Sequence, residues 1–194
     1  MFLKNWKREL FTIPNLLSLF RILLIPVYIR LYQNATELRH VHLTGLLVAC
    51  SCLTDLADGL IARHFQMVSN VGKVLDPLAD KLTQLGLILC LCPRYRLLYP
   101  VLALFIMKEL FQLFLFMIYI RKGLALPGAL YAGKICTGVL FGSLLIMILT
   151  PAMRPLFVKI MILTDIFFLL LSFGSYVLAY LGEQPKLRNI ESEY

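Results

Sequence analysis

The chain has 194 residues, of which 60% are hydrophobic and only 15% charged, with a mean hydropathy of +0.81. That balance lies far from the globular average and excludes an ordinary soluble domain, because apolar runs near 20 residues recur along the whole length. The net charge of +8 suits anionic head groups or a phosphorylated substrate. It does not suit nucleic acid, since the basic residues are scattered between apolar spans and form no single face.

Taken in chain order, residues 1–10 alternate Lys4, Lys7 and Arg8 with Phe2, Leu3, Trp6 and Leu10, the pattern of a short juxtamembrane helix lying in the interface. A cleaved signal peptide is the competing reading. No small-residue cleavage site follows the first span, which argues against it. Six transmembrane helices are expected, at roughly 12–31, 42–62, 75–93, 98–120, 130–150 and 155–181. Residues 182–194 read as a short polar tail. The expected fold is therefore all-α, a polytopic integral membrane protein formed as one domain over 1–194, with no internal repeat or linker.

Orientation follows from lysine and arginine in the loops. One side carries Lys4, Lys7, Arg8, Arg63, Lys73, Arg121, Lys122, Lys134, Lys186 and Arg188; the other carries Arg39, Arg94, Arg96, Arg154 and Lys159. Ten against five places both termini and the 63–74 loop in the cytoplasm, in a multi-pass protein of the cytoplasmic membrane. Neither Cys50/Cys52 nor Cys90/Cys92 can chelate from a helix, since i and i+2 point about 200° apart. Those thiols, with Cys136, read as core or lipid-facing groups. His40, His42 and His64 have no metal-ligand spacing.

The informative stretch is DLADGLIARHFQMVSNVGKVLDPLADK, residues 55–81. Asp55 and Asp58 are i and i+3, closing the second expected span. Asp76 and Asp80 are i and i+4, opening the third. Each pair lies on one helix face, about 4.5 Å and about 6 Å apart along the axis. An antiparallel arrangement of the two spans brings four carboxylates to one cytoplasmic-facing pocket. Four partly desolvated anions repel strongly, so bound divalent cations, protonation or basic partners must compensate. Hard oxygen donors favour magnesium, manganese or calcium over zinc, and a two-metal carboxylate site suits phosphoryl or phosphatidyl transfer. Ala57, Gly59, Ala62 and Gly72 let a ligand or a helix approach the backbone closely. The bland alternative is a pair of solvated helix ends. A divalent-cation transporter is a further alternative, but it calls for acids near mid-membrane in symmetric halves, whereas these lie at one end of two adjacent spans.

The spacing D-x2-D-G-x2-A-R-x8-G-x3-D-x3-D, filled by Asp55, Asp58, Gly59, Ala62, Arg63, Gly72, Asp76 and Asp80, resembles the signature of the CDP-alcohol phosphatidyltransferase family at every position. TIPNLLSLFRILLIP, residues 12–26, is similar to the opening of its bacterial phosphatidylglycerophosphate synthases. The resemblance implies that Asp55, Asp58, Asp76 and Asp80 hold magnesium or manganese, as two ions. It implies that Asp55, Asp58, Gly59, Ala62, Arg63, Gly72 and Asp76 bind the CDP moiety. Asp80 would be the catalytic base that takes the proton of the acceptor hydroxyl, with CMP leaving. The implied partners are the lipid bilayer, CDP-diacylglycerol, glycerol 3-phosphate and a second copy of the chain in a homodimer. A dianionic acceptor needs basic residues, and Asn15, Arg21, Lys108, Arg121 and Lys134 are the candidates. Lys108-Glu109 stands where these synthases show Arg-Glu. Residues 132–137, AGKICT, resemble their G-K-x-K-T element with Cys136 in place of the second lysine, and Leu140 replaces a glutamine. Cardiolipin synthase, with phosphatidylglycerol as acceptor, is the alternative within the family.

Overall fold

A computed structural model describes residues 13–35, 40–51, 72–121 and 131–191. Among them every regular element is a helix: α1 (Ile13–Gln33), α2 (His40–Ser51), α3 (Gly72–Leu91), α4 (Leu98–Arg121), α5 (Tyr131–Leu149) and α6 (Pro155–Glu191). The expected interfacial helix at 1–10 lies outside the described residues. The starts of α4 and α6, the two that follow described non-helical residues, fall at 98 and 155 as expected, because composition changes sharply at both boundaries. The end of α6 does not: the helix runs to Glu191, through most of the expected polar tail. At about 1.5 Å per residue it is longer than any bilayer core requires, so polarity at its end marks an exit from apolar sequence and not a helix stop.

Four helices are long and apolar enough to cross a membrane: Asn15–Gln33 in α1, Leu98–Tyr119 in α4, Tyr131–Leu149 in α5 and Pro155–Leu181 in α6. Helix α3 is long enough, but Lys73, Asp76, Asp80 and Lys81 crowd its first half. The described part of α2 is shorter. The architecture is that of an all-helical polytopic membrane protein.

Two compact units can be distinguished. One contains α1, α2, α3 and Leu144–Met153; the other contains α4, α5 up to Ser143, and α6. In the first, α1 packs along α3. Gly86 permits it: a Cβ there would collide with the Tyr28 hydroxyl and stand 2.7 Å from Ile25 Cγ2. Tyr28 in turn donates to the Thr83 carbonyl at 3.3 Å. Gly45 of α2 sits similarly against Ile148 and Leu149, with 3.1 Å to Leu149 Cδ2. Small residues that let backbones approach are the usual device for joining helices in lipid, where apolar burial supplies no driving force.

In the second unit, α4 and α6 pack together on seams of period 3.5. Leu98, Val101, Phe105, Lys108, Leu115 and Tyr119 are buried along α4, and Val158, Ile162, Asp165, Leu169, Ser172 and Tyr176 along α6. Alternating steps of three and four residues keep one stripe facing the partner helix. The outer faces carry Leu110, Leu113, Phe114, Leu163, Phe167 and Leu170, all exposed. Polar groups sit in the seam and apolar ones outside, the arrangement that a lipid environment favours. Phe111 and Phe173 meet edge to face at 5.2 Å. Cys90, Cys92 and Cys136 are buried thiols that form no disulfide among the described residues.

Candidate active site

Asp76 and Asp80 lie one turn apart near the start of α3, on the side that meets α1. The packing at Gly86 brings a polar stripe of α1 against them. Asn15, Ser18 and Arg21 recur every three residues along one face of an otherwise apolar span, and all three are buried. Ser18 Oγ donates to Asp76 Oδ1 at 2.6 Å. Arg21 Nη1 donates to Asp80 Oδ1 at 2.6 Å, from a guanidinium only 8% exposed to a carboxylate that is 50% exposed. Such a pair is strongly screened on the aspartate side and adds little to stability. Its effect is geometric: each carboxylate is held through Oδ1, and neither bond uses Oδ2.

Chemically the pair can do two things. Oxygen donors on one face suit a hard divalent cation, and a half-exposed carboxylate can receive a proton from a ligand that approaches from water. The described part supplies only two carboxylates; among the described residues no three His, Cys, Asp or Glu come together as a metal-binding group. Asp55, Asp58, Gly59, Ala62 and Arg63 lie outside the described residues. Gly72 is buried at the first position of α3, one turn before Asp76.

The acceptor candidates divide. Arg21 stands on Asp80, within the carboxylate group itself. In the second unit, Lys108 is buried in the α4 seam and its Nζ donates to Glu109 Oε1 at 2.6 Å. Lys134 is exposed and lies over the Tyr131 ring at 5.8 Å. Of these two lysines the second has its charge open to a ligand, while the first is neutralised by its neighbour. Arg121 is the last residue of α4. Asp165, without a role in the sequence reading, is buried: Ser143 Oγ lies 2.6 Å from its Oδ2, and its Oδ1 has no hydrogen-bond partner among the described residues.

Ser18 is the functional candidate that sequence reasoning missed. Its signal was present, since a serine midway between Asn15 and Arg21 completes a polar stripe at helical spacing. Gln112 and Tyr176 were missed as well, and they carried no local signal. Gln112 Nε2 donates to Tyr176 Oη at 3.2 Å across 64 positions of sequence.

Comparison with known proteins bears directly on this carboxylate pair. The CDP-alcohol phosphatidyltransferase family matches residues 11–174, a range that contains both aspartates, the stripe on α1 and all of α4 and α5. A CDP-diacylglycerol–glycerol-3-phosphate 3-phosphatidyltransferase of Rickettsia typhi is 43% identical over 70 residues, covering 36% of this chain and 39% of that protein. The Bacillus subtilis protein of the same name is 39% identical over 84 residues, 38% of this chain and 44% of its own. A Schizosaccharomyces pombe cardiolipin synthase (CMP-forming)/mitochondrial hydrolase fusion protein is 39% identical over 94 residues, 45% of this chain and 14% of its own. The aligned stretch is thus less than half the length of each relative. The family match extends over most of the chain, and on that ground the protein belongs to the CDP-alcohol phosphatidyltransferase family.

Proposed function

We propose that the protein transfers a phosphatidyl group from CDP-diacylglycerol to glycerol 3-phosphate, forming phosphatidylglycerophosphate and releasing CMP. The observation that carries this reading is the family match over 11–174, inside which all eight signature residues between Asp55 and Asp80 fall without insertion. The match also runs across both compact units, which supports reading them as one functional domain. The choice of glycerol 3-phosphate rests on the relatives of Rickettsia typhi and Bacillus subtilis. The Schizosaccharomyces pombe relative supports a second reading, with phosphatidylglycerol as acceptor. A cation transporter finds no support in either.

Members of the family are generally divalent-cation dependent. Asp55, Asp58, Asp76 and Asp80 are the residues that would hold two ions, magnesium or manganese, and Asp76 and Asp80 fit that role in donor type and common face. When bound, the metal screens the charge of the diphosphate. The chain's own groups do the remainder. Ser18 fixes Asp76 in rotamer. Arg21 orients Asp80 and balances part of its charge before substrate arrives. Asp80 takes the proton of the acceptor hydroxyl as its oxygen attacks the phosphorus beside the diacylglycerol, and the bond to CMP breaks. Gly59, Ala62, Arg63 and Gly72 would line the nucleotide pocket. Arg21, Asn15, Arg121, Lys108 and Lys134 are the acceptor candidates, and the exposed Lys134 leads because no acid pairs with it among the described residues. The site faces the cytoplasm in this reading, in a homodimer within the cytoplasmic membrane.

The test is release of CMP from CDP-diacylglycerol with a panel of acceptors, with and without magnesium or manganese. Glycerol 3-phosphate should give the highest kcat/KM, and chelation should abolish turnover. If no acceptor releases CMP with metal present, the transferase reading fails; preference for phosphatidylglycerol would select the second reading.

A further inference from the structure

We propose that Tyr176 and Gln112 are positioning residues that fix the start of α5 and thereby place the Lys134 amine for a phosphorylated acceptor. This deepens the proposed function and rests on Lys134 as an acceptor-binding cation.

The starting point is Gly133, buried in the first turn of α5. A Cβ there would stand 2.7 Å from Tyr176 Oη and 3.3 Å from its Cε2 and Cζ. The tyrosine hydroxyl therefore occupies the notch that the missing side chain leaves. Tyr176 cannot easily withdraw. It is buried in the α6 seam, its oxygen accepts a hydrogen bond from Gln112 Nε2 at 3.2 Å, and the Phe111–Phe173 contact at 5.2 Å clamps the same two helices beside it. From within α5, Thr137 Oγ1 donates to the Gly133 carbonyl at 2.9 Å. Backbone at position 133 is thus gripped by α6 on one side and by its own next turn on the other. Lys134 is the following residue and is exposed. Its long side chain is adaptable, so what the protein can fix is the point from which it departs. A seated backbone limits the volume the amine searches, and it lowers the ordering cost of pairing with a phosphate.

The experiment uses the full-length protein in lipid–detergent micelles with magnesium, following CMP release, and separately measures thermal unfolding without substrates. Gly133→Ala forces Cβ into the tyrosine oxygen. It should lower Tm and raise KM for glycerol 3-phosphate about tenfold, with kcat and KM for CDP-diacylglycerol within about twofold. Gly133→Ala/Tyr176→Phe removes the colliding oxygen and should recover most of both losses. The proposal is overturned if the single variant loses Tm but keeps its KM for glycerol 3-phosphate, or if the double variant is as impaired as the single one. Lys134→Ala separates the two layers of inference. An unchanged KM in that variant removes Lys134 from the acceptor site, and the positioning role falls with it. A raised KM there beside an unaffected Gly133→Ala overturns the positioning role alone. Should the single variant not fold, the double variant still decides by whether folding and KM both return.

Discussion

The two compact units join their helices by the same device and put it to different ends. In the first, Tyr28 lies over Gly86 and closes α1 on α3; in the second, Tyr176 lies over Gly133 and seats α5 on α6. Along the first joint the polar groups are matched across helices, Ser18 to Asp76 and Arg21 to Asp80. Along the second, Lys108 is matched to its own neighbour Glu109. Bonds cross between helices there too, Gln112 to Tyr176 and Ser143 to Asp165, but the carboxylate they reach is buried, whereas Asp80 is half exposed. In the proposed reading the first joint is the preorganised reaction centre and the second a scaffold for a cation at its edge. If that contrast holds, equivalent substitutions in the two units should give unequal and different losses.

The largest effect is expected at Asp80. Asp80→Asn should reduce CMP release by about a thousandfold, within the range of a lost general base, while CDP binding stays within a few-fold of the parent. Loss of CDP binding in a titration of the variant would instead make Asp80 chiefly a metal ligand. Next comes Arg21→Gln. A guanidinium on Asp80 competes with any cation for the same carboxylate, so its removal should lower the half-saturating magnesium concentration several-fold even as kcat drops about tenfold. Unchanged magnesium demand with a raised KM for glycerol 3-phosphate would assign Arg21 to the acceptor alone.

The paired glycines give the direct comparison. Gly86→Ala should cost about 1–3 kcal/mol of stability from overpacking, and by spreading α1 from α3 it should lower kcat. Gly133→Ala should act on KM for the acceptor. Similar kinetic signatures from both would dissolve the distinction between the units. Ser18→Ala removes one bond to a carboxylate and should cost no more than about tenfold in kcat/KM, equivalent to about 1.4 kcal/mol.

Much of this was legible in the chain because it is encoded locally. The apolar runs set the helices, and Asp76 and Asp80 share a face by spacing alone. The partner stripe was half visible: Asn15 and Arg21 stood out as polar residues in an apolar span, yet Ser18 did not, since a lone serine costs little in a membrane helix. Pairings across helices were not legible. Nothing near Gly86 or Gly133 names the tyrosine that fills its notch, because that choice is made by packing between segments 58 and 43 residues apart. The helical course of 182–191 was hidden for the opposite reason: its composition signals an exit from lipid, and Gly182 and Pro185 are poor helix formers.

The smallest effect is expected from the same substitution that gives the largest, moved to the second unit. Ser143 has one hydroxyl proton and two acceptors within reach, Asp165 Oδ2 at 2.6 Å and the Leu140 carbonyl at 2.9 Å. An amide at position 165 can donate to Ser143 Oγ and release the serine proton to Leu140, so every short contact gains its own hydrogen. Asp165→Asn should therefore leave CMP release within about twofold and change stability by no more than about 1 kcal/mol in either direction. Asp165→Leu removes the polar partner of Ser143 and should cost about 1–3 kcal/mol. Thermal unfolding of the two variants beside Asp80→Asn measures the contrast. A collapse of turnover in a well-folded Asp165→Asn would place that carboxylate in the reaction, and the second unit would no longer be only a scaffold.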